Sequence, residues 1–406
     1  MPEALPDTRD YPRWQALLSG ARLPAAFVDL DALDANLATV LDALDGTDVT
    51  LRVATKSVRC TAVLRHIIEQ GGARIRGLMT YHAHETALLA ELGFDDMLCA
   101  YPPGRRDEAD VFGRLSAEGR HVVAMVDDPH HLRLLGEAAE RHDTEIGVCI
   151  DLDVSWRPFG DMHLGVRRSP LRDSEQVRAF ARLVQEAPGL RLDGLMAYEA
   201  QVASLQDKTR GDRLKDPVRR FIKAQSRPLA ADRRMASVTA LQEEGFALAF
   251  VNGGGTGSLH STLGDPAVTE VTVGSGFYCP HLFDGFADLP LRPAAFFALG
   301  VVRASDADHV TCAGGGYVAS GPPGPDRLPL VHSPPGLEPV ELEGFGEVQT
   351  PFKLVGQARP DIGDPIVCRH AKAGELMERF DEVHLIRGDE IETTVPTYRG
   401  LGGSFL

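Results

Sequence analysis

Between about residue 25 and residue 275, short apolar, β-branched runs alternate with segments of helical periodicity. After a first lead-in, the candidate strands are 51–54, 75–79, 97–100, 121–126, 145–151, 192–197, 248–252 and 269–273. Strands that alternate with helices run parallel, because each helix carries the chain back to the same end of the sheet. Eight such units suit a closed (β/α)8 TIM-like barrel, so the fold class is α/β. The first helix is the best marked. Asp31 is its expected N-cap, and Leu33, Leu37, Val40, Leu41 and Leu44 recur at helical spacing. The helix at 85–92 is expected to stop at Gly93.

Beyond residue 280 the pattern changes. Pro and Gly become frequent, and the runs 296–302, 309–313 and 382–386 read as strands of a smaller, mainly β domain. The expected division is a barrel over 22–278 and a β domain over 279–406, with 1–21 as a further contribution to the second. Two insertions follow strand ends and so belong on the catalytic face of a barrel. The first, 155–172, carries Trp156, Pro158, Gly160 and Pro170. The second, 201–227, carries Lys208, Arg210, Arg213, Lys215, Arg219 and Arg220. It reads either as a solvated helix or as a lid or anionic-substrate contact.

The net charge of −16 argues against nucleic acid or an anionic membrane as partner. The first residues lack the basic and apolar regions of a signal peptide, and the apolar run 294–302 is too short to span a bilayer. Cysteines stand at 60, 99, 149, 279, 312 and 368, none in a CxxC pattern. They read as reduced thiols of a cytoplasmic protein, not as a zinc finger.

Three features carry chemistry. Lys56 ends the run Leu51-Arg52-Val53-Ala54-Thr55-Lys56. The glycine-rich stretch Val251-Asn252-Gly253-Gly254-Gly255-Thr256-Gly257-Ser258 follows the seventh strand, and Gly274-Ser275-Gly276-Phe277-Tyr278 follows the eighth. A lysine amine can condense with an aldehyde cofactor. Glycines let backbone N–H groups close on a phosphate, and barrels often bind phosphate after strands seven and eight. Alone, the lysine is an ordinary surface residue and the glycines are a turn. Together they fall where one site needs them.

Here the chain resembles a known family. Leu23-Pro24-Ala25-Ala26-Phe27-Val28-Asp29-Leu30-Asp31-Ala32-Leu33-Asp34-Ala35-Asn36-Leu37, followed by Ala54-Thr55-Lys56, resembles the opening of fold-type III pyridoxal-phosphate enzymes. Further matches are Asp96-Met97-Leu98-Cys99-Ala100-Tyr101-Pro102, Gly194-Leu195-Met196-Ala197-Tyr198-Glu199, the 253–258 loop and Thr269-Glu270-Val271-Thr272-Val273-Gly274-Ser275-Gly276. They are most similar to the D-threonine aldolase and D-serine dehydratase group, which has an alanine racemase-like barrel. The resemblance implies that Lys56 holds the cofactor and moves protons at the substrate α-carbon. It also implies that Gly254, Gly255, Thr256, Gly274, Ser275 and Tyr278 line the phosphate end, with Tyr198 against the pyridine ring. His163 stands where the family pattern usually has an arginine beside that ring.

The group's C-terminal metal pair is a histidine followed two residues later by Cys or Asp. This chain has His370 but Lys372 in the second place. Cys368 and Glu375 lack the family's spacing. A protonated lysine repels a dication, so a divalent metal is not expected, with His370 its ligand if one binds. The Lys372 ammonium would instead stand near the substrate's β-hydroxyl or carboxylate, unless it is only an exposed strand-end residue. His370 and Lys372 are the candidate acid–base groups. His82 and His84 precede a helix and read as loop residues, and His281 is a candidate substrate contact.

The resemblance implies a lyase that acts on a β-hydroxy D-amino acid, by aldol cleavage or by dehydration and deamination, and a homodimer. One alternative is a racemase or epimerase, with Tyr317 or Tyr398 as a second acid–base group. Another is a non-catalytic pyridoxal-phosphate-binding protein, which the β domain argues against.

Overall fold

The computed structural model describes residues 10–209 and 213–405, so Arg210 of the second insertion lies outside the described residues. Strand β1 (Ala25–Asp29) precedes eight parallel strands: β2 (Thr50–Ala54), β3 (Ile75–Thr80), β4 (Met97–Cys99), β5 (Val122–Val126), β6 (Ile146–Asp151), β7 (Leu190–Ala197), β8 (Phe250–Gly253) and β9 (Glu270–Val273). They close into a barrel when β9 pairs with β2. All eight lie within two residues of the strands read from the sequence. Leu98, Val123, Met125, Cys149, Met196 and Phe250 form one apolar cluster of barrel strands. Arg52 pairs through two bonds with buried Glu270, each 2.9 Å, and Asn252 donates to the same carboxylate at 2.8 Å. With both oxygens satisfied, this buried charge pair is tolerated.

The second domain is a nine-stranded sheet. Its strands are β10 (Ala295–Asp306), β11 (His309–Ala313), β12 (Leu330–Ser333), β13 (Leu337–Pro339), β14 (Gln349–Leu354), β15 (Pro365–Arg369), β16 (Glu382–Arg387) and β17 (Glu390–Pro396), together with β1. The structure differs from the sequence reading at β1. It lies in this sheet, antiparallel to β10 and parallel to β16, although it falls within the segment assigned to the barrel. Its five residues are all buried. The helix Tyr11–Leu18 covers it through fully buried Trp14, edge-on to Phe296 at 5.4 Å and Phe27 at 6.2 Å.

The first barrel-side helix is capped by Asp29, not by Asp31. The helix runs over Leu30–Ala43, and Asp29 accepts from Ala32 N at 3.0 Å. Asp31 falls in the first turn and pairs with Arg387 of β16 at 3.1 Å. One acidic residue thus ends the strand and opens the helix, while the next ties the two domains.

Candidate active site

At the end of β2 the chain makes a single tight turn, Thr55–Ser57. The turn leaves Lys56 exposed while Thr55, Ser57 and Val58 are buried. No hydrogen bond or ion pair of the Lys56 amine is found among the described residues. Its backbone, by contrast, is held firmly. Arg59 Nε donates to the Lys56 carbonyl at 2.9 Å. The same guanidinium pairs with Glu378 of the β domain at 2.6 Å and lies 5.2 Å from the centre of the Tyr81 ring. Tyr278, fully buried, donates its hydroxyl to Val58 O at 3.1 Å, so it supports the lysine turn from behind.

The two glycine turns meet beside this lysine turn. Gly276 N donates to Thr256 Oγ1 at 3.0 Å, and Ser57 Oγ lies 3.3 Å from Ser275 Oγ. Gly274 packs against Ala54 and Ser57. At Gly257 a Cβ would fall 2.3 Å from Ala203 O, so only glycine fits. Gly254 N and Ser258 Oγ donate to buried Glu199 at 3.2 and 2.9 Å, and the Thr262 hydroxyl bonds the same carboxylate. Arg234 closes the support, bonding Glu199 and Ala197 O at 2.9 Å each and pairing with Asp265. The N–H groups of Thr256, Gly257 and Ser275 have no protein acceptor among the described residues. Free backbone donors beside small hydroxyl residues make a concavity suited to an anion.

Tyr198, half-buried, faces the same loop. A Cβ on Gly255 would lie 3.2 Å from its ring, and its hydroxyl is 3.2 Å from Ser204 Oγ. The Arg168 guanidinium lies 5.6 Å from the centre of the Tyr198 ring and 5.4 Å from that of Tyr101. His163, five residues earlier, instead bonds Val166 O through Nε2 at 3.0 Å, in the hairpin where Trp156 pairs with Leu164. Arg168 is the cation at the tyrosine, and reading the motif in register with His163 missed it. Its only sequence signal is the Arg167-Arg168 pair within the insertion. Below it, burial pushes the Asp151 carboxyl at the end of β6 up to about 7, reinforced by Asp127 and opposed by Arg168.

The segment after β15 arrives at the same place. Gly374 sits on the carbonyl of Lys56, where a Cβ would fall 1.9 Å from the oxygen. Lys372 is exposed, and its amine donates to Ser320 Oγ at 2.7 Å. Burial of part of the side chain holds this amine below the ordinary lysine value; Lys56 and Arg327 add to the effect and Glu375 opposes it. His370 is fully enclosed. Neither ring nitrogen has a hydrogen bond of normal geometry, and burial pulls its pKa down to about 3. The imidazole is therefore neutral and shut away from solvent. Cys368 is buried in β15. Among the described residues no group of three His, Cys, Asp or Glu side chains is placed to hold a metal ion. One enclosed imidazole with a lysine two residues on does not fit a divalent cation.

The remaining candidates have local roles. His82 caps the helix Ala83–Glu91, accepting from His84 N. His281 bonds Leu328 O at 2.8 Å. Tyr398 is fully buried, and the Tyr317 hydroxyl is buried without a partner.

Residues 28–280 match the family described as alanine racemase, N-terminal domain, and the chain belongs to that family. It is similar to a D-threonine aldolase of an Arthrobacter species, 26% identical over 380 residues, covering 91% of this chain and 90% of that protein. It is also similar to a 3-hydroxy-D-aspartate aldolase of Paracoccus denitrificans (strain Pd 1222), 27% identical over 257 residues. That match covers 63% of this chain and 60% of the relative's length. Among solved structures, D-threonine aldolase from Filomicrobium marinum superposes with a TM-score of 0.79 at 21% identity, covering 94% of this chain and 96% of that one. D-threo-3-hydroxyaspartate dehydratase from Delftia sp. HT23 gives 0.72 at 17% identity, covering 94% and 98%. These structural likenesses establish the shared two-domain fold.

Proposed function

We propose that the chain is a pyridoxal-phosphate-dependent lyase that cleaves or dehydrates a β-hydroxy D-amino acid without a metal ion. The observation that carries this is the unpartnered Lys56 amine beside two glycine turns with free N–H groups. The residues present fit the cofactor. Thr256, Gly257, Ser275 and the Ser57 hydroxyl would hold its phosphate, Tyr198 its ring, and Lys56 its aldehyde carbon. When bound, pyridoxal phosphate stores the electron pair released as a bond to the substrate α-carbon breaks.

The chain's own groups then divide the work. Lys56 moves the proton at the α-carbon. Arg168 steadies Tyr198 by a cation–π contact and presents positive charge at the barrel mouth. Lys372 handles the proton at the β-oxygen, as base for aldol cleavage or acid for dehydration. Its lowered pKa brings both protonation states closer to neutral pH. Enclosed His370 takes no proton in this scheme. A racemase needs a second acid–base group facing Lys56, and the hydroxyls of Tyr317 and Tyr398 are both enclosed.

The two relatives named aldolases and the dehydratase-like structure support a lyase on this fold. We further propose a homodimer working in the cytoplasm. All six cysteines are unpaired and buried, and no described helix is long and apolar enough to cross a membrane. A monomeric mass in solution would remove the dimer.

Borohydride reduction of the protein with pyridoxal phosphate, followed by peptide mapping, tests the site. The label is expected on Lys56. A label on another lysine, or none, contradicts the assignment.

A further inference from the structure

The β domain grips the barrel at one place that the scheme above leaves unused. Glu85 lies in the first turn of the helix Ala83–Glu91, which follows β3, and its carboxyl is fully buried. One oxygen accepts from Tyr398 Oη at 3.0 Å, the other from Tyr81 N at 2.7 Å. Thr55, the residue before Lys56, lies against both this carboxyl and the Tyr398 phenol, and its hydroxyl donates to Met79 O at 3.0 Å. Tyr398 N donates to Arg59 O at 2.9 Å, and Arg59 in turn holds the Lys56 carbonyl. Phe405 seals the cluster, edge-on to Tyr398 at 6.0 Å and Tyr81 at 6.5 Å. The C-terminal segment of the chain and the lysine turn therefore share one enclosed polar network with a carboxyl at its centre. Leaving such a group without donors is costly, so the network is rigid where it is complete.

We propose that Glu85 and Tyr398 are positioning residues, whose hydrogen bond fixes the Thr55–Ser57 turn and so aims the Lys56 amine into the barrel mouth. The proposal rests on the reading of Lys56 as the cofactor lysine.

The groups facing the Glu85 carboxyl come from four elements. They are Thr55 of the lysine turn, Tyr81 at the end of β3, Arg59 with its partner Glu378, and Tyr398 of the β domain; Cys99 of β4 also feels its charge. Burial pushes Glu85 up to about 7, against the neighbouring Thr55 hydroxyl, the donors Tyr81 N and Tyr398 Oη and the charge of Arg59. It thus changes charge near neutrality beside the turn that carries the lysine.

The test is a pH titration of the visible absorbance of the protein loaded with pyridoxal phosphate, for wild type, Tyr398→Phe, Glu85→Gln and Lys56→Ala. Wild type is expected to show an inflection near neutral pH. Tyr398→Phe removes a donor to the ionised carboxyl, so the inflection moves to higher pH. Its kcat falls roughly five- to tenfold with KM within about twofold, the size of one lost hydrogen bond. Glu85→Gln keeps the shape but cannot ionise, and the inflection disappears. Variants that titrate and turn over like wild type overturn the proposal. Should Glu85→Gln fail to fold, Tyr398→Phe decides alone. A visible band that survives in Lys56→Ala refutes the reading of the lysine itself and is separate from these outcomes.

Discussion

Gly374 of the β domain lies directly over the backbone carbonyl of Lys56, closer than any side chain would allow. Its φ of +84° is also one that residues with a Cβ rarely adopt. Two independent penalties therefore fall on one substitution. Gly374→Ala is expected to destabilise the protein by at least about 1–2 kcal/mol and to lower turnover more than Gly→Ala at exposed Gly402. Urea unfolding with parallel rate measurements checks this. An alanine variant as stable and active as wild type would show that the contact does not hold the lysine turn.

Lys372 is expected to matter for turnover and not for holding the cofactor. Lys372→Ala should lower kcat roughly 100-fold or more, the usual weight of a general acid or base, with the visible cofactor band unchanged. Because its amine is held below the ordinary lysine value, the wild-type rate profile should have an alkaline-side transition below that value, lost in the variant. Full turnover by Lys372→Ala would end the role.

Much of this architecture was legible before any coordinates. The eight barrel strands stand out because a parallel strand buried on both faces reads as a short apolar run. The placing of Lys56 and the glycine turns at strand ends was legible because strand ends and glycine-rich turns have sequence signatures. What was hidden depends on contacts between distant segments. Nothing in the run Ala25–Asp29 says that its neighbours are residues 295–298 and 383–386. The burial of His370 follows from packing in the β domain, and its spacing from Lys372 carries no sign of that. Arg168 was missed because its place over Tyr198 depends on how the insertion folds, and Glu85 because a glutamate in a first helical turn is ordinarily a solvated one.

Arg234 underlies the glycine-rich loop after β8 through Glu199 and Asp265, all three buried. Arg234→Met leaves two buried carboxylates without their cation. The expected loss is about 3–5 kcal/mol in urea unfolding, with weaker pyridoxal phosphate binding because Gly254 and Ser258 hang from Glu199. A loss under about 1 kcal/mol would mean that the loop does not depend on this support.

Asp151 gives a pH dependence of defined sign. Its folded pKa of about 7 lies above the ordinary value of 3.8, so the native state binds the extra proton between those limits. Its burial penalty is therefore absent below about pH 4 and complete above about pH 7, and stability falls as pH rises through that window. Asp151→Asn removes the penalty. The variant should gain on wild type by on the order of 4 kcal/mol between pH 4 and 8, and Arg168→Met should move the upper edge of the window to higher pH. A stability difference independent of pH would contradict the shift.

The most direct measurement is product analysis on the loaded enzyme supplied with D-serine, D-threonine or 3-hydroxy-D-aspartate, each with and without a chelator. The account predicts turnover of at least one D-isomer, giving glycine and an aldehyde or a keto acid and ammonia, at a rate indifferent to the chelator. Loss of activity with chelator would contradict the metal-free site. Exchange of the α-proton with no product of either kind would contradict the lyase itself.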